Sequence, residues 1–101
     1  PNAVAQIKIQ EEMAAVEKLK ESIAKEMGTY GKNEVKNAVE NGAAESLLLI
    51  SEMTKESEGL ELLEMALKNR TEVIEISSHH HGGEMLIGLG GVAVILRYKL
   101  T

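Results

Sequence analysis

The residue types best able to do chemistry gather between positions 77 and 98. Three consecutive histidines, His79, His80 and His81, follow Ser77 and Ser78 directly, and Glu84 lies three residues beyond the last of them. Histidine and glutamate ligate zinc. On a helix, however, successive side chains point about 100° apart, so three in a row cannot converge on one ion; only a loop lets them. The chain has no cysteine, which removes the thiolate co-ligands of structural zinc sites. An exposed helix start is the simpler reading, and no metal is expected. A serine nucleophile at Ser77 or Ser78 needs a histidine that is itself oriented by a carboxylate. No G-x-S-x-G elbow surrounds either serine, and capping a following helix suits both. Glu84 as a lone general base has no second carboxylate at motif spacing, and the chain contains no aspartate.

Gly88-Leu89-Gly90-Gly91-Val92-Ala93 fits a relaxed G-x-G-x-x-A string. A dinucleotide fingerprint needs a strand before the glycines and a helix after them, so that phosphate meets a helix N-terminus. Here the order is reversed, which predicts a helix stop followed by a tight turn into a strand. Arg97 and Tyr98 follow that strand. Both are large side chains of the kind that anchor interfaces, and both could equally tie a strand end into the core. The methionines Met13, Met27, Met53, Met65 and Met85 read as core filler. These residues hold no catalytic constellation and no cofactor motif, and they favour a binding module.

The elements that must position them follow from periodicity. Ile9, Met13, Val16, Leu19, Ile23 and Met27 recur at three- and four-residue steps and predict an amphipathic helix over about 9–27, ended by Gly28. Tyr30-Gly31 reads as a connection or a short strand. A second helix is expected from Lys32 to Asn41 with Val35, Ala38 and Val39 inward, stopped by Gly42. Ser46–Ile50 is a continuous apolar run, as in a strand buried on both faces. Residues 51–59 read as a polar loop, and Leu60, Leu63 and Leu67 mark a third helix, with Lys68 and Arg70 near its C-terminal end. Thr71–Ile76 predicts a strand, 79–88 a fourth helix and Val92–Leu96 a last strand. Strands alternating with helices predict an α/β fold: a three-layer α/β/α sandwich with a small, mostly parallel sheet.

Composition bounds the function. At 101 residues the chain suits a single domain over 1–101, with 9–27 as an entering helix and about 30–101 as the α/β core. Eleven basic against 16 acidic residues give a net charge of −5, and the signs are interspersed. That disfavours a nucleic-acid surface. No apolar run approaches a membrane span. The absence of cysteine fits a reducing compartment. The start at Pro1-Asn2-Ala3, without Met, reads as a cut from a longer protein.

Two blocks carry a family resemblance. Residues 76–98, with Gly83-Glu84-Met85-Leu86, the Gly90-Gly91 turn and Val94-Ile95-Leu96-Arg97-Tyr98, resemble the end of the third domain shared by Pelota and the archaeal and eukaryotic class I release factors. There a GE-x-L helix and a glycine turn precede a G-I-A-A-I-L-R-Y-like strand. Tyr30-Gly31-Lys32-Asn33-Glu34-Val35 and Asn41–Leu48 resemble the Y-G-x-x-E-V…x-G-A-V-E-x-L-L block of the same domain, and Glu11-Glu12 through Val16-Glu17 resemble the helix that enters it. Release factors commonly insert a minidomain after the first long strand. The short 51–59 connection resembles the uninserted Pelota form, archaeal in character.

The resemblance implies a cytoplasmic ribosome-rescue role in mRNA surveillance and no-go decay. It implies contacts with an elongation-factor-type GTPase, a ribosome-splitting ABC-type ATPase and, through the full-length protein, the ribosome. A divalent-metal-dependent endoribonuclease activity is ascribed to the family's N-terminal domain; for this domain no enzyme activity and no cofactor are implied. By the match to the release-factor strand, the GTPase contact falls on Val94, Ile95, Leu96, Arg97 and Tyr98, with Val94 in place of the family's glycine. The alternatives are a release-factor domain and, since the fold also resembles kink-turn RNA-binding ribosomal proteins, an RNA-binding module.

Overall fold

The computed structural model describes residues 3–99, with side chains from residue 8 onward. Along the chain come α1 (Ala3–Ala24), β1 (Gly28–Tyr30), α2 (Lys32–Glu40), β2 (Ala44–Ile50), a 3₁₀ turn (Ser51–Lys55), α3 (Ser57–Lys68), β3 (Glu72–Ile76), α4 (His81–Gly88) and β4 (Val92–Leu96). The strands form one sheet in the order β1-β4-β2-β3. β2 and β4 lie at its centre, and Leu47, Leu48, Leu49 and all of β4 are buried, as their unbroken apolar runs predict.

Three layers form around this sheet. α2 and α3 cover one face and bury Val35, Val39, Leu62 and Ala66 against Leu47, Leu49, Val92 and Val94. On the other face α1 and α4 bury Val16, Leu19 and Leu86 against Leu48, Ile76, Ala93 and Ile95. The alternation along β2 and β4 sends successive side chains to opposite layers, as strand geometry requires.

The sheet is mixed, not mostly parallel. Only β2 and β3 pair in parallel; β4 is antiparallel to both β2 and β1. The reason lies in the connection after β3. β3 ends with Ile76 beside Ile50, and β4 begins with Val92 beside Leu49. The chain therefore re-enters the sheet at the end where it left, and must run back the other way. Gly90 (φ 105°) and Gly91 (φ 84°) make that reversal, in a region only glycine enters freely.

Three other expectations shift. The 51–59 segment is not a loop, because the 3₁₀ turn fills 51–55 and α3 starts at Ser57. Gly59 lies inside α3, where a Cβ would overlap the Met53 carbonyl of that turn. The inner face of α3 is Gly59, Leu62 and Ala66, whereas Leu60 and Leu67 are exposed. On α1, Ile9 and Met13 turn outward, and Glu12 joins Val16 and Leu19 in the interior. Gly28 does not terminate α1; Glu26 (φ 62°) takes the left-handed position and Gly28 opens β1.

Candidate docking surfaces and the buried Glu12–His80 clamp

The polar centre of the molecule joins α1 to the start of α4. Glu12 is 5% exposed. Its Oε1 accepts the Ser77 backbone N–H at 2.8 Å and lies 2.7 Å from His80 Nε2. The other ring nitrogen, Nδ1, accepts from the N–H groups of Gly82 at 3.1 Å and Gly83 at 3.4 Å. Nδ1 is therefore unprotonated, and the ring proton sits on Nε2, facing the carboxylate. His80 is the N-cap of α4, a role expected of Ser77 and Ser78. Gly83 is required here, since a Cβ would overlap the Ser77 carbonyl.

This geometry gives His80 a structural role. Both His80 nitrogens are engaged, so neither can activate a serine. His79 and His81 are exposed, and His81 Nδ1 stands 3.8 Å from Glu84 Oε2. No three metal-ligating side chains cluster among the described residues. Ser77 Oγ accepts the His79 N–H at 3.2 Å. Ser78 Oγ donates to Glu52 Oε2 at 2.7 Å, which, with a backbone hydrogen bond, holds that exposed carboxyl below its ordinary range. The 88–93 glycine string joins a helix to a strand, the reverse of a phosphate-binding turn.

At the far end of β4 the five strand residues part company. Val94, Ile95 and Leu96 are buried in the core and offer no side chain to a partner. Arg97 reaches back. Its Nε donates to Ala44 O at 3.1 Å, and its Nη2 donates to Arg70 O at 3.1 Å and Asn69 O at 3.3 Å. The guanidinium thus caps the C-terminal end of α3, where cations are favoured. Tyr98 is 51% exposed and is the side chain of this group left free for contact.

A second surface was not foreseen. Ile23, Tyr30, Met85, Gly88 and Leu89, with Lys20 at the rim, line an open apolar groove of about 510 Å³ between α1, β1 and α4. Exposed Tyr30 and Ile87 belong to the same two elements, β1 and α4. The signal for Glu12 was present in the sequence: it stands four residues before Val16, on the buried stripe, and a carboxylate there demands donors.

The profile described as eRF1 domain 3 matches residues 9–100. The chain belongs to the eRF1 domain 3 family. Its relatives in that family include Pelota proteins. A protein pelota homolog of Pyrococcus horikoshii is 45% identical over 97 residues, covering 92% of this chain and 27% of its own length. A solved structure of ribosome-bound archaeal Pelota and ABCE1 superposes with a TM-score of 0.83 at 35% identity, over 95% of this chain and 28% of that one. Dom34 of S. cerevisiae, described as a translation termination-like factor in RNA quality control that interacts with Hbs1, gives 0.81 at 29%, over 90% and 28%. This eRF1 domain 3 chain thus spans about a quarter of the length of its relatives. No described helix is long and apolar enough to cross a membrane.

Proposed function

We propose that this chain is the protein-docking domain of a Pelota-type ribosome-rescue factor. In that role it contacts an elongation-factor-type GTPase and a ribosome-splitting ABC-type ATPase, and it works on cytoplasmic ribosomes as part of mRNA surveillance. The observation that carries this reading is a division of roles: Glu12, His80 and Arg97 are fastened to groups within the fold, and several large apolar and aromatic side chains face out. His80 holds a carboxylate and a helix start, and Arg97 holds carbonyls. Tyr98, Tyr30 and Ile87 are exposed. Interfaces draw their binding energy from such large apolar and aromatic side chains. The named partners of relatives, ABCE1 for archaeal Pelota and Hbs1 for Dom34, support it. The domain itself contributes no catalysis; an endoribonuclease activity and its divalent metal belong to another part of the full-length factor.

The GTPase contact centres on Tyr98. Tyr98→Ala is expected to weaken GTPase binding at least about tenfold and to leave the urea midpoint unchanged, because the ring is not part of the core. A midpoint that falls as steeply as binding would make Tyr98 a structural residue.

A further inference from the structure

We propose that the free edge of β3 accepts an added strand: an extended segment of a partner protein in which apolar side chains alternate with lysine or arginine. This concerns the sheet edge opposite β1, away from the α1–β1–α4 groove, and goes beyond the function proposed above.

Three observations meet at this edge. The sheet order leaves the outer side of β3 without a neighbouring strand among the described residues, and such an edge presents open backbone N–H and C=O groups. β1, the other edge strand, has three residues, while β3 has five, with Val73 and Ile74 only half-buried.

Second, the apolar sector of α3 overruns the core on this side. Glu58 and Glu61 pair with Lys32 and Lys36 and mark the flank that faces α2. Leu60, Leu63 and Leu67 lie on the opposite flank, at steps of three and four residues. Leu60 is 49% exposed and Leu67 77%. On the other face of the edge, Lys8, Glu11, Ala15, Ile74 and Glu75 line an open groove of about 380 Å³ between α1 and β3. An added strand sends alternate side chains to the two faces, so one set meets the leucine ledge and the other this groove.

Third, the charge selects the occupant. Glu72 and Glu75 are exposed on β3, with Glu11 in the groove and Glu64 on α3. None of the four forms an ion pair among the described residues, and Lys8 and Lys68 offset them only in part. A second copy of this chain is disfavoured, since two β3 edges would bring two carboxylates each to one seam. A basic extended segment meets the same groups with opposite charge, and its main chain completes the edge.

The test is nuclear magnetic resonance of the 101-residue chain titrated with a ten-residue peptide alternating valine and lysine, beside one alternating valine and glutamate. The lysine peptide is expected to shift and protect the amides of residues 72–76 and to move the Leu60 and Leu67 methyl signals. Leu60→Ser with Leu67→Ser, both outside the core, is expected to weaken it at least about tenfold without moving the unfolding midpoint. Three results would overturn the proposal: equal binding of the two peptides, shifts at Tyr98 or the α1–α4 groove instead, or edge shifts that grow with protein concentration alone. GTPase or ATPase binding that persists in the double-leucine variant leaves the docking function standing, so the two readings fail separately.

Discussion

Glu12 is a carboxylate on the buried stripe of a helix, and what makes it tolerable there is two donors 65 and 68 residues away in sequence. Hydrogen bonds to a charged group contribute about 1.5–3 kcal/mol each, and a buried donor left unmatched costs a similar amount. Glu12→Ala should therefore lower stability by roughly 3 kcal/mol, read as a drop in the urea midpoint. Glu12→Gln, which keeps an acceptor oxygen, should cost less. Equal losses would mean that packing, not hydrogen bonding, matters at this site. A second residue-scale effect concerns pH. Ser78 and a backbone N–H hold the Glu52 carboxyl below its ordinary range. A depressed folded value means the unfolded chain takes up the proton first as pH falls. The contribution is then present above the ordinary carboxylate range and is lost as pH drops through the lowered one. Ser78→Ala should lower stability slightly at neutral pH, leave it unchanged below the lowered range, and so flatten the acid limb; the effect is small because the carboxyl is exposed.

At the scale of elements, α1, α2, α3 and α4 end alike. The backbone N–H groups of Met27, Ala43, Thr71 and Gly91 bond back five residues, to Ser22, Ala38, Ala66 and Leu86. This motif places its penultimate residue in the left-handed region. Gly42 and Gly90 do so freely, but Glu26 (φ 62°) and Arg70 (φ 56°) carry a Cβ into it. Glu26→Gly should stabilise the fold by about 1 kcal/mol, measured by thermal unfolding; destabilisation would show that another contact fixes this turn. Gly59 gives the opposite case. Gly59→Ala must push α3 off the 3₁₀ turn and should cost roughly 3 kcal/mol, seen in the same measurement. The sequence made helix stops legible where glycine marks them and hid them at Glu26 and Arg70, because only backbone geometry distinguishes those two. It likewise showed that α3 is amphipathic but not which leucines face inward. A glycine at the point of closest approach, Gly59, fixed that choice.

For the whole molecule, the layers and the buried central strands were readable from alternation and continuous apolar runs, since those patterns are the physical cause of burial. Strand direction was not readable. Fifteen residues between Ile76 and Val92 suffice for a parallel crossover, and only the place where α4 delivers the chain decides against it. Exposure along the proposed contact strand was only partly legible. Tyr98 stands exposed. Val94, Ile95 and Leu96 are core, and Arg97 is committed to the carbonyls of Ala44, Asn69 and Arg70. The −5 charge remains the whole-molecule argument against RNA as the natural ligand.

The most direct test is calorimetric titration of this chain with an elongation-factor-type GTPase and an ABC-type ATPase at near-physiological salt, with a kink-turn RNA as comparison. A docking domain is expected to bind at least one of the two proteins, lose GTPase affinity on Tyr98→Ala, and leave the RNA unbound. Binding to the RNA alone, with neither protein engaged, would contradict the proposed function while leaving the fold intact.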